Sequence, residues 1–543
     1  MPSALVLLYN NRMDSKTRRC GVFLTPLVFA EKAYQYVEEV LGKHWYQSEN
    51  YRLWDMAAGT GHLEFPLPKG ALQFCYLSTL EPKDVLHLEK RFPSATVFQY
   101  NYLDDDAEVP DALRKDLANP LLKWIILVNP PYATAQEAGL KGTSKEGVAH
   151  TKIRKLMHAE GLGEVSRELY IQFLYRIMNE FKHRETLLGL FSPIKYLTST
   201  NYQKFRDNVF HAAFQTGFVF SSENFGGTSK TSHFPVSFIL WDIHQKKQIA
   251  NQELCLDILD NTAQKIGVKT LRPANRNEFL NRWIKRPRGV SIFPPFSSAL
   301  TVKPDNVDTR NRIAEGFLAS LMCPGNELQN QQQTAFLSGP QVSAGALSVT
   351  PENFEQAVVV FAARRIPKDT WINHVDQLLR PNRELSPLFI ADCAVWSLFD
   401  NKNQTVALRN VMYQNKVYHI VNHFFPFAVA EVRSWQISNE QIKSSLCGAK
   451  NSFVADYKDM QVSAEAQSVW ASARVVYRFY FANLHLLRRN EFKIDTYDAG
   501  WYQIRQSLMD ANLGADLLAA LKERHDLLKE KILPMLCDYR IVS

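Results

Sequence analysis

A chain of 543 residues is too long for one ordinary domain, and 46% hydrophobic with 12% aromatic residues is the composition of a packed globular protein, which excludes a disordered or fibrous class. A net charge of +8 permits a polyanionic partner without requiring one. Seven cysteines (Cys20, Cys75, Cys255, Cys323, Cys393, Cys447 and Cys537) are scattered with no C-x-x-C pair, which argues against a disulfide framework and a cysteine zinc site and fits a reducing cytoplasm. The apolar stretch Ala4–Leu8 has no basic residue before it and is far below spanning length, so neither a signal peptide nor a membrane segment is expected.

Taken in order, the stretch Arg18 to Pro26 leads into a helical pattern through Ala33, Tyr36, Val37 and Val40, with Thr25 placed to cap it and Pro26 at its first position. Such a helix N-terminus suits a carboxylate. A strand, Tyr51–Trp54, exits into Asp55-Met56-Ala57-Ala58-Gly59-Thr60-Gly61-His62-Leu63-Glu64, where two glycines and two alanines let the backbone approach a ligand. Glu64 stands where a dinucleotide fingerprint wants its third glycine, so a nicotinamide cofactor is not expected. Pro66 and Pro68 leave room only for a stunted helix before the second strand, Gln73–Leu77, which ends near Glu81, an acid placed for ribose hydroxyls. A third strand, Thr96–Gln99, delivers Asn101 and Tyr102, a polar residue and an aromatic suited to binding and covering an adenine.

The fourth strand, Trp124–Val128, runs straight into Asn129-Pro130-Pro131-Tyr132. An exocyclic amine on an aromatic ring has its lone pair delocalised and attacks poorly. The Asn129 amide oxygen and the Pro130 carbonyl can each accept one of its N–H bonds, aiming the lone pair at a donor, while Tyr132 offers a flat face for the ring. The prolines remove competing N–H groups and stiffen the loop; on its own, the same run also reads as a rigid strand-ending turn. Residues 133–164 are polar and read as a loop able to close over a substrate. A helix through Leu169, Phe173, Leu174 and Ile177, a strand Leu187–Phe191 ending at Ser192-Pro193, and two more strands, Phe218–Phe220 and Val236–Trp241, complete a seven-stranded sheet with a terminal hairpin.

In order and spacing these stretches resemble the S-adenosylmethionine-dependent adenine-N6 DNA methyltransferases of restriction-modification type whose cofactor motifs precede the catalytic one (gamma order). The resemblance covers roughly residues 18–245 and rests on Gly21-Val22-Phe23-Leu24-Thr25-Pro26, Asp55 to Gly61, Glu81, Asn101-Tyr102-Leu103 and Asn129 to Tyr132. It implies a doubly wound, mostly parallel Rossmann-like α/β sheet. It also implies that Phe23, Thr25, Pro26, Asp55, Ala57, Gly59, Gly61, Glu81, Asn101 and Tyr102 bind S-adenosylmethionine, and that Phe225 stacks on an extruded adenine opposite Tyr132, with Phe220 and Phe234 as the other aromatics that can fill that place. Asn101 stands where the family often has an acid, and Asp55 where relatives carry Glu. Family members with Ser and Trp in place of Asn129 and Tyr132 modify cytosine N4, so the tetrapeptide points to adenine. No metal is required, because the sulfonium is already an activated leaving group.

From residue 246 the strand–helix alternation fades. Lys246, Lys247, Lys265, Lys269, Arg272, Arg276, Arg282, Lys285, Arg286 and Arg288, with Phe279 and Trp283, form a basic stretch suited to phosphates. Residues 324–350 are rich in Gln, Gly and Ser and read as a long loop or internal boundary, and Ala511–Leu536 as helices. The chain is expected to divide into a methyltransferase domain, 1–245, and a mixed α+β region, 246–543, to which the resemblance assigns target recognition on double-stranded DNA. A nuclease of the P-D…E-x-K type is not expected, since Glu491-Phe492-Lys493 has no Pro-Asp nearby. Two alternatives stay open: methylation of an RNA base or a protein glutamine, and a degenerate methyltransferase that binds DNA or partner subunits of a restriction or defence system.

Overall fold

The computed structural model describes residues 24–104, 108–132, 151–225, 233–303, 306–308, 310–437, 439–457 and 461–542. Its contacts divide the chain into two compact units, Met1–Arg276 with Thr370–Val375, and Asn277–Asp369 with Asp376–Ser543. Among the described residues no helix is long and apolar enough to cross a membrane.

The first unit is built on a nine-stranded sheet. Its strands are β1 (Tyr51–Asp55), β2 (Cys75–Thr79), β3 (Thr96–Gln99), β4 (Lys123–Val128), β5 (Thr186–Pro193), β6 (Ala213–Ser221), β7 (Pro235–Asp242), β8 (Leu254–Leu259) and β9 (Lys265–Leu271), in the spatial order β3-β2-β1-β4-β5-β7-β6-β8-β9. Strands β1 to β5 are mutually parallel, and β7 is antiparallel to both β5 and β6. Consequently β6 runs with the parallel set, and its exit reaches the same edge as theirs. The expected hairpin is present as β6 and β7, but β7 lies inside it, against β5. The sheet also continues past residue 245: β8 and β9 bring it to nine strands rather than seven.

Side-chain alternation along β4 shows why the sheet is covered on both faces. Ile125 and Leu127 pack into one buried cluster with Phe29, Ala33 and Val37 of helix α1 (Leu27–Leu41), while Trp124, Ile126 and Val128 join the other with Leu113 of α3 (Asp111–Ala118). Leu88 of α2 (Pro82–Arg91) sits with the first cluster; Ile153 and Met157 of α4 (Lys152–Ala159) and Tyr170, Leu174 and Ile177 of α5 (Leu169–Phe181) sit with the second. Burial of each such side chain stabilises by roughly 1.5–3 kcal/mol. Trp371, Ile372 and Val375, from the segment Thr370–Val375, pack on that second cluster.

Two expectations are corrected here, and that of a stunted helix after β1 holds. Helix α1 begins one residue later than expected, with Pro26 at the cap position and no side-chain cap, because the Thr25 hydroxyl is bonded elsewhere. Between β1 and β2 only the short 3-10 turn Lys69–Phe74 forms, as the prolines require. Part of the expected loop 133–164 is helix α4, whose first turn is capped by Thr151 accepting the Arg154 N–H at 3.0 Å; residues 133–150 lie outside the described residues.

The second unit packs α6 (Phe354–Arg365), α7 (Pro387–Phe399), α8 (Ala464–Ala482), α9 (Trp501–Asp510) and α10 (Ala515–Asp538) around one core with a four-stranded sheet. Residues 324–350 are no boundary: they supply two of that sheet's strands, Ala335–Leu337 and Ala346–Val349. Buried Arg364 pins the turn before them, donating to Thr334 Oγ1 at 2.9 Å and to the carbonyls of Pro324 and Gly325.

Gly189 sits mid-strand in β5, and a Cβ there would press on Leu127 of β4 and come within 3.0 Å of the Phe238 ring of β7. Gly189→Ala is expected to destabilise the first unit by about 1–3 kcal/mol, read as a lower denaturant midpoint with an unchanged slope.

Candidate active site

The site grows out of the common edge where β1 to β4 end and β6 exits. Leaving β1, the buried Asp55 carboxylate accepts the Ala57 N–H at 2.7 Å, Ala58 N–H donates to the Ser78 carbonyl of β2 at 3.0 Å, and Gly61 N–H closes the turn on the Ala58 carbonyl at 2.8 Å. Gly59 and Gly61 both take positive φ, +54° and +76°, the left-handed region that glycine enters without strain. They do different jobs. A Cβ on Gly61 would run into the Phe92 ring and lie 2.9 Å from Leu88, so this glycine lets the turn pack against α2. A Cβ on Gly59 would meet only the Ala57 carbonyl oxygen, at 3.9 Å, which leaves backbone open on one side for a ligand to approach.

On the strand beside it, β4 delivers Asn129. Its Nδ2 donates to Thr25 Oγ1 at 2.9 Å, and its Oδ1 accepts the Tyr132 hydroxyl at 2.8 Å. The segment before α1, the end of β4 and the Pro-Pro turn are thus joined by one hydrogen-bond chain through Asn129. An amide oxygen has two lone pairs and can accept two donors. Burial pushes the Tyr132 hydroxyl well above its ordinary pKa, keeping it neutral and donating. The Tyr132 ring meets Phe225 edge-on, with centroids 6.0 Å apart, and Tyr170 at 6.4 Å. Phe225 reaches this point because β6 ends at the same edge; it is 5% exposed and also packs on Phe220, with centroids 5.5 Å apart.

The remaining expected residues separate into two groups. Glu81 is exposed at the cap position of α2, past the end of β2, and Pro26 is half-buried beside Thr25. Asn101 spends its amide locally, accepting the Leu103 N–H at 3.1 Å and donating to Asp104 at 2.9 Å. Phe23 lies outside the described residues. Tyr102 corrects the expectation: its ring is core, 1% exposed, with its hydroxyl on Glu180 at 2.8 Å and the Arg176 guanidinium 4.3 Å above its face, so it covers no ligand. Phe220 is core too, stacked 3.9 Å from Phe29, whereas Phe234 is only partly buried.

Three residues for which the sequence signals no role at the site complete it. Glu64 is fully buried, with its carboxyl facing that of Asp55. Burial first, then Asp55, pushes Glu64 well above the usual carboxylate range; burial raises Asp55 to about 6 against the Glu64 and Ala57 hydrogen bonds. Tyr34 of α1 stands close enough for both acids to act on its hydroxyl. His62 bonds the backbone of Thr25 and is held neutral by burial and by Arg91. Glu64 was visible only as the residue that breaks a glycine fingerprint; nothing in its spacing signals a buried acid pair.

No protein-family model and no curated protein matches the chain. Solved structures similar to it include a DrdV–DNA complex, at 16% identity and a TM-score of 0.37 over 60% of this chain and 37% of that one. The type IIL restriction-modification enzyme MmeI in complex with DNA matches at 10% identity and a TM-score of 0.35, over 98% of this chain and 79% of that one. The M protein of the type I restriction enzyme EcoKI matches at 13% identity and a TM-score of 0.26, over 44% and 47%. In several such matches the chain spans half or less of the other protein. The chemistry assigned below rests on this chain's own residues.

Gly61→Ala must displace the Phe92 ring and hold φ at +76°, whereas Gly59→Ala meets only its own backbone strain. Chemical unfolding should show Gly61→Ala losing about 2–4 kcal/mol and Gly59→Ala about 1–2 kcal/mol.

Proposed function

We propose that the chain transfers a methyl group from S-adenosylmethionine to the N6 amino group of adenine in double-stranded DNA, sequence-specifically, as the modification enzyme of a restriction-modification or phage-defence system. The observation that carries this reading is the hydrogen-bond chain Thr25–Asn129–Tyr132, which holds an amide oxygen and an aromatic ring at one sheet edge, on the strand next to an open glycine turn.

The residues present fit the cofactor. Asp55 and the open backbone at Gly59 form an acidic, close-approach cradle, and exposed Glu81 stands at the next strand exit for a ribose. The cofactor supplies a methyl group on a positively charged sulfur; the protein's work is placement. Asn129 Oδ1 and the Pro130 carbonyl accept the two N–H bonds of the amine and aim its lone pair. Tyr132 fixes Asn129 while its ring, with Phe225 beside it, offers apolar faces to the base. A base in a duplex reaches this edge only by leaving the stack, at a cost of a few kcal/mol.

For the nucleic-acid partner, the basic stretch 246–288 does not act as one patch. Its members divide between the two units, and Lys265, Arg272 and Lys285 are paired with Asp257, Glu253 and Glu352 at 2.7, 2.8 and 2.9 Å. In the second unit, Arg286 and Arg288 instead gather with Arg310 and Arg312, where the strands Gly289–Val290 and Arg312–Ile313 pair. Burial, then Arg310, lowers the Arg312 pKa against the opposing Asp308 carboxylate, with Arg286 and Arg288 adding smaller effects in the same sense as Arg310. Exposed Val290 and Ile292 lie beside it. Such a cluster suits a phosphate backbone.

Incubation with labelled S-adenosylmethionine and mixed-sequence duplex DNA is expected to place label on adenine; label on cytosine, on RNA, on protein or nowhere would sink the proposal. Asn129→Ala should abolish turnover and leave cofactor affinity within a few-fold, because it removes the acceptor for the amine. Equal loss of both would mean that Asn129 holds the cofactor. Replacing Arg286 and Arg288 by Ala should weaken DNA binding and reduce the salt slope of log K by about 2. An unchanged slope would remove this cluster from the interface.

A further inference from the structure

The glycine turn is built over a pair of acids, of which the function proposed above uses only Asp55. Asp55 ends β1, and Glu64 follows the turn; they are 1% and 0% exposed. Among the described residues, neither oxygen of the Glu64 carboxyl has a hydrogen-bond partner of ordinary geometry; apart from its own backbone N–H, the group it faces is the Asp55 carboxyl. The other titratable groups around it are the Tyr34 hydroxyl from α1, the Cys75 thiol from β2 and the Arg91 guanidinium from α2. Tyr34 OH and the neighbouring Thr60 Oγ1 are likewise buried with no bonded partner. Arg91 lies on the solvent side, stacked 4.8 Å from the Phe65 ring with its Nη1 on the Thr60 carbonyl at 3.4 Å.

Two carboxylates cannot share a dry site without a donor between them, because both would be desolvated and mutually repelled. One proton removes both costs, turning acceptor against acceptor into a charge-assisted hydrogen bond. We propose that Glu64 is a positioning residue that keeps one proton between its carboxyl and that of Asp55, fixing Asp55 where it accepts the Ala57 N–H and so setting the Gly59–Gly61 turn for the cofactor. The shared proton follows from the acids alone; its consequence for binding rests on the cofactor reading above. At neutral pH the pair carries one negative charge, not two, which is enough to face a cationic ligand. The two acids titrate as one system, so the second ionisation belongs to the pair.

The sign of the pH effect is fixed. The folded chain retains a proton that unfolded Glu64 releases near pH 4.3, so stability declines as pH rises above that value until the folded pair gives its proton up. Glu64→Gln keeps an N–H donor for Asp55 and has nothing to titrate; Glu64→Ala removes the donor.

The test compares the full chain and these two variants. In ligand-free thermal unfolding from pH 5 to 8, Glu64→Gln should gain in Tm on the wild type as pH rises. In equilibrium binding of S-adenosylhomocysteine at neutral pH, Glu64→Gln should stay within about threefold of the wild type, while Glu64→Ala loses about tenfold or more. Wild-type and Glu64→Gln melting curves that run parallel with pH would overturn the shared proton, and full affinity in a folded Glu64→Ala would overturn the positioning role. No binding by the wild type would overturn the cofactor reading itself and with it the binding role, while the melting gap would still decide the proton.

Discussion

Everything polar in the first unit depends on the parallel register of β1 and β4. Pairing Trp54 with Ile126 places Ala57 and Asn129 three residues further along on neighbouring exits. One turn is glycine-rich and open, the other proline-stiffened and armed with an amide. Neither strand can slip by one residue without turning its buried side chains to the wrong face of a sheet covered on both sides. The apolar core therefore sets the separation between the two halves of the site, and the polar residues only complete it.

The completing contacts are few and directional. Asn129 ties α1's leading segment to the Pro-Pro turn through Thr25 and Tyr132, and Arg176 of α5 holds the exit of β3 through the Tyr102 carbonyl and, at 2.9 Å, the Tyr100 hydroxyl. The antiparallel insertion of β7 between β5 and β6 carries Phe225 to the same edge, so that two aromatic rings from distant parts of the chain meet beside Asn129. Under the first turn, the Asp55–Glu64 pair substitutes a shared proton for the solvent that the fold excludes.

The central strands were legible because their alternation and their polar exits are local: Trp124–Val128 followed by Asn129 states both its burial and its end. The outer strands β8 and β9 were missed because they carry mixed signals, such as Ile266 and Val268 exposed on an edge strand beside the buried Lys269. Strands of three or four residues in 324–350 have no readable period among their Gln, Gly and Ser neighbours. Tyr102 was misread because an aromatic after a strand exit has the same sequence signal whether its ring points to a ligand or into the core. Glu64 meets Asp55 only because the glycine turn folds back under itself, and the arginines at 286, 288, 310 and 312 gather only where two short strands pair, neither of which spacing encodes.

The account stands on Asn129 presenting its amide to an adenine amine in DNA. Nucleoside mass spectrometry of DNA and RNA from a host lacking adenine methylation, producing either the intact chain or Asn129→Ala, tests this directly. The account predicts N6-methyladenine in the DNA of cells with the intact chain and none with the variant. N4-methylcytosine in its place, a modified base confined to RNA, or the same DNA signal from both chains would contradict it.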